Sequence, residues 1–85
     1  MSDEFTPKPP LQPGTYRHYK GNDYEVIDLV CHSETQEWLV LYKRLYERDG
    51  PELWVRPYTM FIEYIDFEGK TQPRFAFVPE QQTKN

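Results

Sequence analysis

From Gly14 onward, short runs of β-branched and aromatic residues alternate with clusters of turn-forming residues. A spacing of about ten residues between strands is typical of a small antiparallel β domain. Six runs predict strands, at residues 14–20, 23–33, 37–46, 53–56, 62–67 and 74–78. Pro57 has no N–H and is predicted to end the fourth strand, followed by a single helical or 3₁₀ turn at 58–62. The pattern predicts a mainly β fold. We expect a small, partly open SH3-like barrel of about five short antiparallel strands, with an OB-like barrel as the alternative.

The second predicted strand changes its hydrophobic parity partway along. Tyr24, Val26 and Val30 share one parity, whereas Ile27, Leu29 and Cys31 share the other. Because successive side chains of a strand point to opposite faces, this switch predicts a bulge or a sharp bend near Asp28.

Polar and proline-rich ends flank the patterned region. Residues 1–13 contain Pro7, Pro9, Pro10 and Pro13 and are predicted to form an extended, mostly disordered N-terminal tail. Residues 14–78 are predicted to form one small β domain, and residues 79–85 a polar C-terminal tail. The aromatic content of 16% is too high for a fully disordered chain, and it suits a small domain with a thin core.

Composition narrows the classes of function. The net charge of −4 disfavours nucleic acid as a partner, because phosphate binding needs an excess of Lys and Arg. No segment approaches the ~20 apolar residues of a membrane span, and the N-terminus lacks the order of a signal peptide. Cys31 is the only cysteine, so no internal disulfide can form, which fits a cytoplasmic location. Two histidines and one cysteine give no metal-binding pattern, and no cofactor is expected.

The segment "YRHYKG" (16–21) is the first candidate site. Alternation places Tyr16, His18 and Lys20 on one face, as a strip of aromatic and cationic side chains that could hold an anionic or planar ligand. A two-residue turn at 21–22 would instead make this a tyrosine-rich hairpin, in which Tyr19 faces Tyr24 and His18 faces Glu25.

The segment "CHSET" (31–35) contains residue types of a hydrolytic triad but not its arrangement. Adjacent strand residues point to opposite faces, and no Gly-x-Ser-x-Gly elbow is present. Turn chemistry, in which Ser33, Glu34 and Thr35 bond the loop backbone, is the favoured interpretation. His32 is retained as a site residue that could face His18, and Cys31 is expected to be buried.

The segment "LWVRPYTMF" (53–61) is the third candidate. Trp54 and Arg56 share one face, and both are types enriched at binding hot spots. Val55 is then assigned to the core, with Met60 and Phe61 closing its end. Arg56 could alternatively pair with a structural carboxylate.

Five motifs occur in a fixed order: G-T-Y-R-H-Y-K-G-N-x-Y-x-V (14–26), H-S-E-T (32–35), L-V-L-Y-K-R-L-Y (39–46), W-V-R-P-x-x-M-F (54–61) and P-R-F (73–75). This order resembles the bacterial family known as domain of unknown function 1653, over roughly residues 14–75. The resemblance implies a small cytoplasmic bacterial domain with a compact β fold. It supplies no catalytic residue, cofactor or substrate.

These observations predict a binding module rather than an enzyme. Its ligand-binding residues would be Tyr16, His18, Lys20, His32, Trp54 and Arg56. The ligand could be a peptide, a protein or a nucleotide-like group, and the chain a monomer or a weak homodimer. The alternatives are a small enzyme with a histidine as general acid–base, and a structural homodimer.

Overall fold

The computed structural model describes residues 6–79. Within that range there are seven strands and one short helix, in the order β1 (Gly14–His18), β2 (Asp23–Cys31), β3 (Trp38–Arg44), β4 (Leu53–Pro57), α1 (Tyr58–Phe61), β5 (Tyr64–Phe67), β6 (Lys70–Pro73) and β7 (Phe75–Phe77). Five strands form an antiparallel sheet in the order β4-β3-β2-β1-β7, and β5 pairs with β6 in a separate hairpin. The predicted mainly β fold and the short helix are confirmed. The described strands do not close into a barrel, and the SH3-like description stays a prediction.

The predicted bulge in β2 is confirmed. The register between β2 and β3 shifts between Val26 and Asp28, which leaves Ile27 as the extra residue. Val26 and Leu29 are both buried as a result, although an unbroken strand would place them on opposite faces. The Asp28 carboxylate accepts the Leu29 N–H at 2.7 Å and so holds the bulge.

The predicted pairing of the first hairpin is wrong. Tyr24 lies opposite Tyr16 rather than Tyr19, and His18 has no partner in β2. The His18 N–H donates to the Asn22 carbonyl at 2.8 Å, which closes a turn longer than two residues. Gly21 adopts a φ of 109° in this turn, a conformation that favours glycine.

Aromatic rings dominate the core on one face of the sheet. The buried hydrophobic residues are Tyr16, Val26, Leu29, Val40, Tyr42, Phe61 and Phe75. Phe61, carried by α1, stacks on Phe75 with ring centroids 4.1 Å apart and meets Tyr16 edge-on at 5.4 Å. The four-residue helix therefore serves mainly to bring one phenylalanine onto the sheet.

Three predicted core positions are wrong. Val55 and Met60 are 51% and 44% exposed, and Cys31 is also exposed. In β4 it is Trp54 and Arg56 that lie opposite the buried Tyr42 and Val40, so the parity was assigned to the wrong face. Phe61, only 1% exposed, is the residue that closes the core.

Residues 6–13 contain no helix or strand, yet they are anchored to the sheet. The Thr6 carbonyl accepts from Trp38 Nε1, the Pro10 carbonyl from the Tyr58 hydroxyl, and the Gln12 carbonyl from the Tyr16 hydroxyl. Residues 1–5 and 80–85, parts of the predicted tails, lie outside the described residues, and the tail boundaries stay a prediction. No helix within 6–79 has the length and apolar character needed to cross a membrane.

Candidate functional site

A cavity of about 180 Å³ opens on the core face of the sheet, beside β4. It is lined by Tyr24, Tyr42, Arg44, Tyr46, Arg48, Trp54 and Arg56, and we call it the Tyr–Arg pocket. No carboxylate lines it. Three guanidinium groups and four aromatic rings therefore surround one small volume.

Strand pairing places the inner wall of the pocket. Tyr42 of β3 lies directly opposite Trp54 of β4, so both side chains leave the sheet on the same face. The Arg56 guanidinium lies 5.5 Å from the centre of the Phe75 ring, and its Nε is 3.5 Å from the Tyr42 hydroxyl. Trp54 remains 43% exposed, so part of its side chain is accessible to a ligand.

Arg44 builds the outer wall by organising the loop between β3 and β4. Its Nε donates to the Tyr46 carbonyl at 3.1 Å, and its terminal nitrogens donate to the carbonyls of Arg48, Gly50 and Pro51. These bonds occupy the guanidinium, so Arg44 is structural. Arg48 and Arg56 remain as the cations that could contact a ligand.

Two tyrosines share a hydrogen bond at the floor of the pocket. The hydroxyls of Tyr24 and Tyr46 are 2.8 Å apart. Burial, reinforced by this bond, raises the pKa of Tyr24 to about 12. The same bond, with help from Arg48 and Arg44, lowers the pKa of Tyr46. Of the two hydroxyls, that of Tyr46 is therefore the more acidic.

The pocket arginines take no part in the ion pairs between described residues. Four ion pairs join described residues: Lys8–Asp28, Arg17–Asp23, Lys43–Glu25 and Arg74–Glu63. Within residues 6–79, then, no carboxylate pairs with any of the three pocket arginines. Burial first, and then Arg56, Arg74 and Lys20, lower the pKa of His18. Arg56 thus acts on His18 as well as lining the pocket.

Four of the predicted site residues lie in or beside the pocket, or in the core next to it. Trp54 and Arg56 line the pocket. His18 is adjacent, because its ring packs edge-on against Phe75 at 4.9 Å, beneath Arg56. Tyr16 is buried in the core and bonds the N-terminal segment.

Lys20, the fifth predicted residue, lies in the turn after β1 and is exposed. Its backbone N–H donates to His18 Nδ1 at 3.1 Å, and its ammonium lies 5.8 Å from the centre of the Tyr19 ring. It contributes to the field on His18 but does not line the pocket.

The sixth predicted residue, His32, lies elsewhere. Cys31 lies seven positions beyond Tyr24 along β2, which at ~3.3 Å per residue is roughly 23 Å. His32 Nδ1 accepts the N–H groups of Glu34 and Thr35, at 3.0 and 3.2 Å, so its role is in the turn. The expectation that His32 faces His18 is wrong. The structure also finds no cluster of three His, Cys, Asp or Glu side chains within residues 6–79 that could hold a metal.

Sequence reasoning missed five lining residues: Tyr24, Tyr42, Arg44, Tyr46 and Arg48. Four of them alternate strictly in "YKRLYER", from Tyr42 to Arg48. That period of two was the signal that could have found them, because it continues one face of β3 into the following loop.

Comparison with known proteins agrees with this fold. A family model described as a protein of unknown function, DUF1653, matches residues 14–77. A crystal structure of a DUF1653 protein from Bordetella bronchiseptica shares 39% sequence identity, over 87% of this chain and 95% of that chain, with a TM-score of 0.80. No curated protein matches the chain. The resemblance seen in the sequence motifs is confirmed, and the chain belongs to the DUF1653 family.

Proposed function

We propose that this domain is a binding module whose Tyr–Arg pocket takes an anionic group attached to a planar ring. The observation that carries the proposal is a pair of guanidinium groups beside the partly exposed Trp54, those of Arg48 and Arg56, which have no carboxylate partner within residues 6–79. Guanidinium groups bind phosphate and carboxylate through two parallel bonds, and they stack on aromatic rings.

The size of the pocket restricts the ligand class. At about 180 Å³ it is smaller than the roughly 300–1,000 Å³ that encloses a drug-sized molecule. It suits one ring and one anionic substituent, either a small molecule or the end of a larger ligand. The net charge of −4 disfavours a long polyanion, since charges outside the pocket would repel it.

Phenyl phosphate is the probe that tests the proposal, with inorganic phosphate and phenol as partial probes. We expect a saturable shift of the Trp54 indole N–H and of backbone amides in residues 42–56, measured by NMR. Phenyl phosphate should bind more tightly than either partial probe, because ring stacking and ion pairing act together. Arg56→Gln should weaken it at least about tenfold, which corresponds to ~1.4 kcal/mol.

Arg17→Gln is the matched control, because Arg17 is an exposed arginine paired with Asp23 and outside the pocket. It should leave the phenyl phosphate affinity unchanged. If both variants lose the same affinity for phenyl phosphate, the change in net charge alone explains the loss, and the proposed site is refuted. Shifts confined to residues outside 42–56 would also refute it.

A further inference from the structure

A second surface, on another part of the molecule, holds the chain's own proline-rich segment. Trp38 Nε1 donates to the Thr6 carbonyl at 2.9 Å, and the Tyr58 hydroxyl donates to the Pro10 carbonyl at 3.0 Å. Between them is an apolar cleft of about 330 Å³, lined on the domain side by Gln36, Glu37, Trp38, Tyr58 and Thr59. We call this surface the proline groove. Thr6 and Pro9 line its remaining wall.

The chemistry of the bound segment explains this mode of attachment. Four of the eight residues from 6 to 13 are proline, which has no N–H and therefore cannot join a strand ladder. Its carbonyls still accept hydrogen bonds, and its fixed φ makes the extended form cheap to order. Trp38 and Tyr58 match such a segment, because an aromatic ring can pack on pyrrolidine carbons while its N–H or O–H donates a hydrogen bond to a carbonyl.

Charge adds a further constraint on the segment. Lys8, between Pro7 and Pro9, forms an ion pair with Asp28 at 3.0 Å. Leu11 packs against the core, and the Tyr16 hydroxyl donates a hydrogen bond to the Gln12 carbonyl at 2.7 Å. Contacts beyond the proline groove therefore add one ion pair and one carbonyl bond, and the contacts between this segment and the domain are spread over residues 6–12.

We propose that the proline groove is a recognition site for proline-rich, singly basic peptides, filled in cis by residues 6–12. The occupant in trans is a proline-rich segment of a separate partner protein that resembles T-P-K-P-P-L-Q. The tether gives the chain's own segment a millimolar effective concentration, so it acts as a built-in competitor. Aromatic-lined grooves are a recurring way of binding extended proline-rich chains.

The test uses the full chain with Pro9→Gly and Pro10→Gly, two substitutions that make the tethered segment costlier to order. A capped peptide, TPKPPLQP, is titrated into this variant and into the unmodified protein. The readout is the Trp38 indole N–H resonance, with the Trp54 indole as internal control. We expect saturable binding to the variant and at least tenfold weaker apparent binding to the unmodified protein.

Two controls make the result specific. The peptide TGKGGLQG should bind at least tenfold more weakly, because it lacks the prolines. Trp38→Phe in the variant background should weaken TPKPPLQP at least fivefold, since it removes the donor to the Thr6 carbonyl while keeping a ring.

An unmoved Trp38 resonance at millimolar peptide would overturn the proposal, as would equal affinity for the glycine peptide. Sedimentation tests the remaining occupant, a second copy of this chain. A concentration-dependent dimer that dissociates when TPKPPLQP is added would show that two copies exchange their N-terminal segments. That result would contradict the proposal of a separate partner protein.

Discussion

His18 is the titratable residue whose surroundings give the clearest pH dependence. Its pKa is lowered by burial and by Arg56, Arg74 and Lys20, so the folded state favours the neutral ring. Nδ1 also accepts the Lys20 N–H, a bond that a proton on Nδ1 would break. Because the folded pKa of His18 lies below the ordinary 6.5, the unfolded chain binds a proton more readily than the folded protein. The contribution of His18 to the stability of the fold is therefore complete above pH 6.5 and decreases as the pH falls towards the folded pKa.

We therefore expect the unfolding free energy to fall between pH 7.5 and pH 5 more steeply in the unmodified protein than in His18→Asn. Asparagine can retain the acceptor for Lys20 and does not titrate. Urea denaturation across this range measures the difference. Arg56→Gln should raise the titration midpoint of His18 measured by NMR, because it removes the neighbouring charge that lowers the pKa of His18 most. Parallel stability curves, or an unmoved midpoint, would contradict this account.

Phe61 is the residue on which the core depends most. It is 1% exposed and contacts rings from three strands, those of Tyr16, Tyr42 and Phe75. Phe61→Ala should cost about 3–5 kcal/mol, which approaches the ~5–15 kcal/mol total stability of a typical domain. Phe61→Leu should cost less than Phe61→Ala, because leucine keeps most of the buried apolar volume.

Met60→Ala is the control on the same helix, where the side chain is 44% exposed. It should change stability by no more than ~0.5 kcal/mol. Urea midpoints rank the three variants. A Met60 variant as unstable as Phe61→Ala would mean that the helix itself, rather than the buried ring, stabilises the domain.

At single positions, sequence predicted which side chains share a face but not always which face is inward. Trp54 and Arg56 were correctly grouped against Val55. The inward face was misassigned because Val55 has a fully apolar side chain, whereas Trp54 and Arg56 both carry polar groups. The deciding fact is the register with Tyr42 and Val40, a long-range property that β4 does not carry in its own five residues.

Among the elements, the loop between β3 and β4 depends most on a single side chain. Arg44 bonds four carbonyls along residues 46–51 through its planar guanidinium. Arg44→Lys keeps the charge but cannot span the same carbonyls. We expect amides in residues 45–52 to exchange with solvent at least about tenfold faster, a change of ~1.4 kcal/mol in opening free energy. Hydrogen exchange measured by NMR tests this.

Lys43→Arg is the matched control, because Lys43 lies on the opposite face of β3 and pairs with Glu25. It should leave exchange in the loop unchanged. If Arg44→Lys also leaves it unchanged, backbone preference alone forms the loop. The outer wall of the Tyr–Arg pocket would then not depend on Arg44.

Element prediction succeeded where the chain carries a local signal. The parity switch at Asp28 announces the bulge, and Pro57 marks the end of β4. The first hairpin failed because Gly21 and Asn22 indicate a turn without fixing its length, and the observed turn uses His18 and Asn22 as its closing pair. Only two of the seven residues that line the Tyr–Arg pocket, Trp54 and Arg56, were predicted from the sequence. Arg44 and Arg48 lie at the start of and within a loop whose conformation depends on its own hydrogen bonds.

At the scale of the whole molecule, the last strand of the chain joins the sheet beside the first. The pairs β1–β2, β2–β3 and β3–β4 join neighbours in sequence, whereas β7 pairs with β1 across the chain. Phe75 of β7 is the ring that stacks on Phe61, so this last strand also completes the core. Val78, just after β7, still donates its N–H to the Thr15 carbonyl at 2.8 Å. The domain boundary near residue 78 stays a prediction.

Truncation from the C-terminus tests that boundary directly. A chain ending at residue 79 keeps β7, and we expect its free energy of unfolding to lie within ~0.5 kcal/mol of that of the full chain. A chain ending at residue 73 loses Phe75 and three ladder pairs, and we expect it to be unfolded by NMR and circular dichroism. Phe75→Leu in the full chain separates the two losses, because it keeps the strand pairing and most of the buried apolar volume, and we expect this variant to stay folded. A folded chain ending at residue 73 would show that the four-stranded β4-β3-β2-β1 sheet and α1 suffice without the terminal strand.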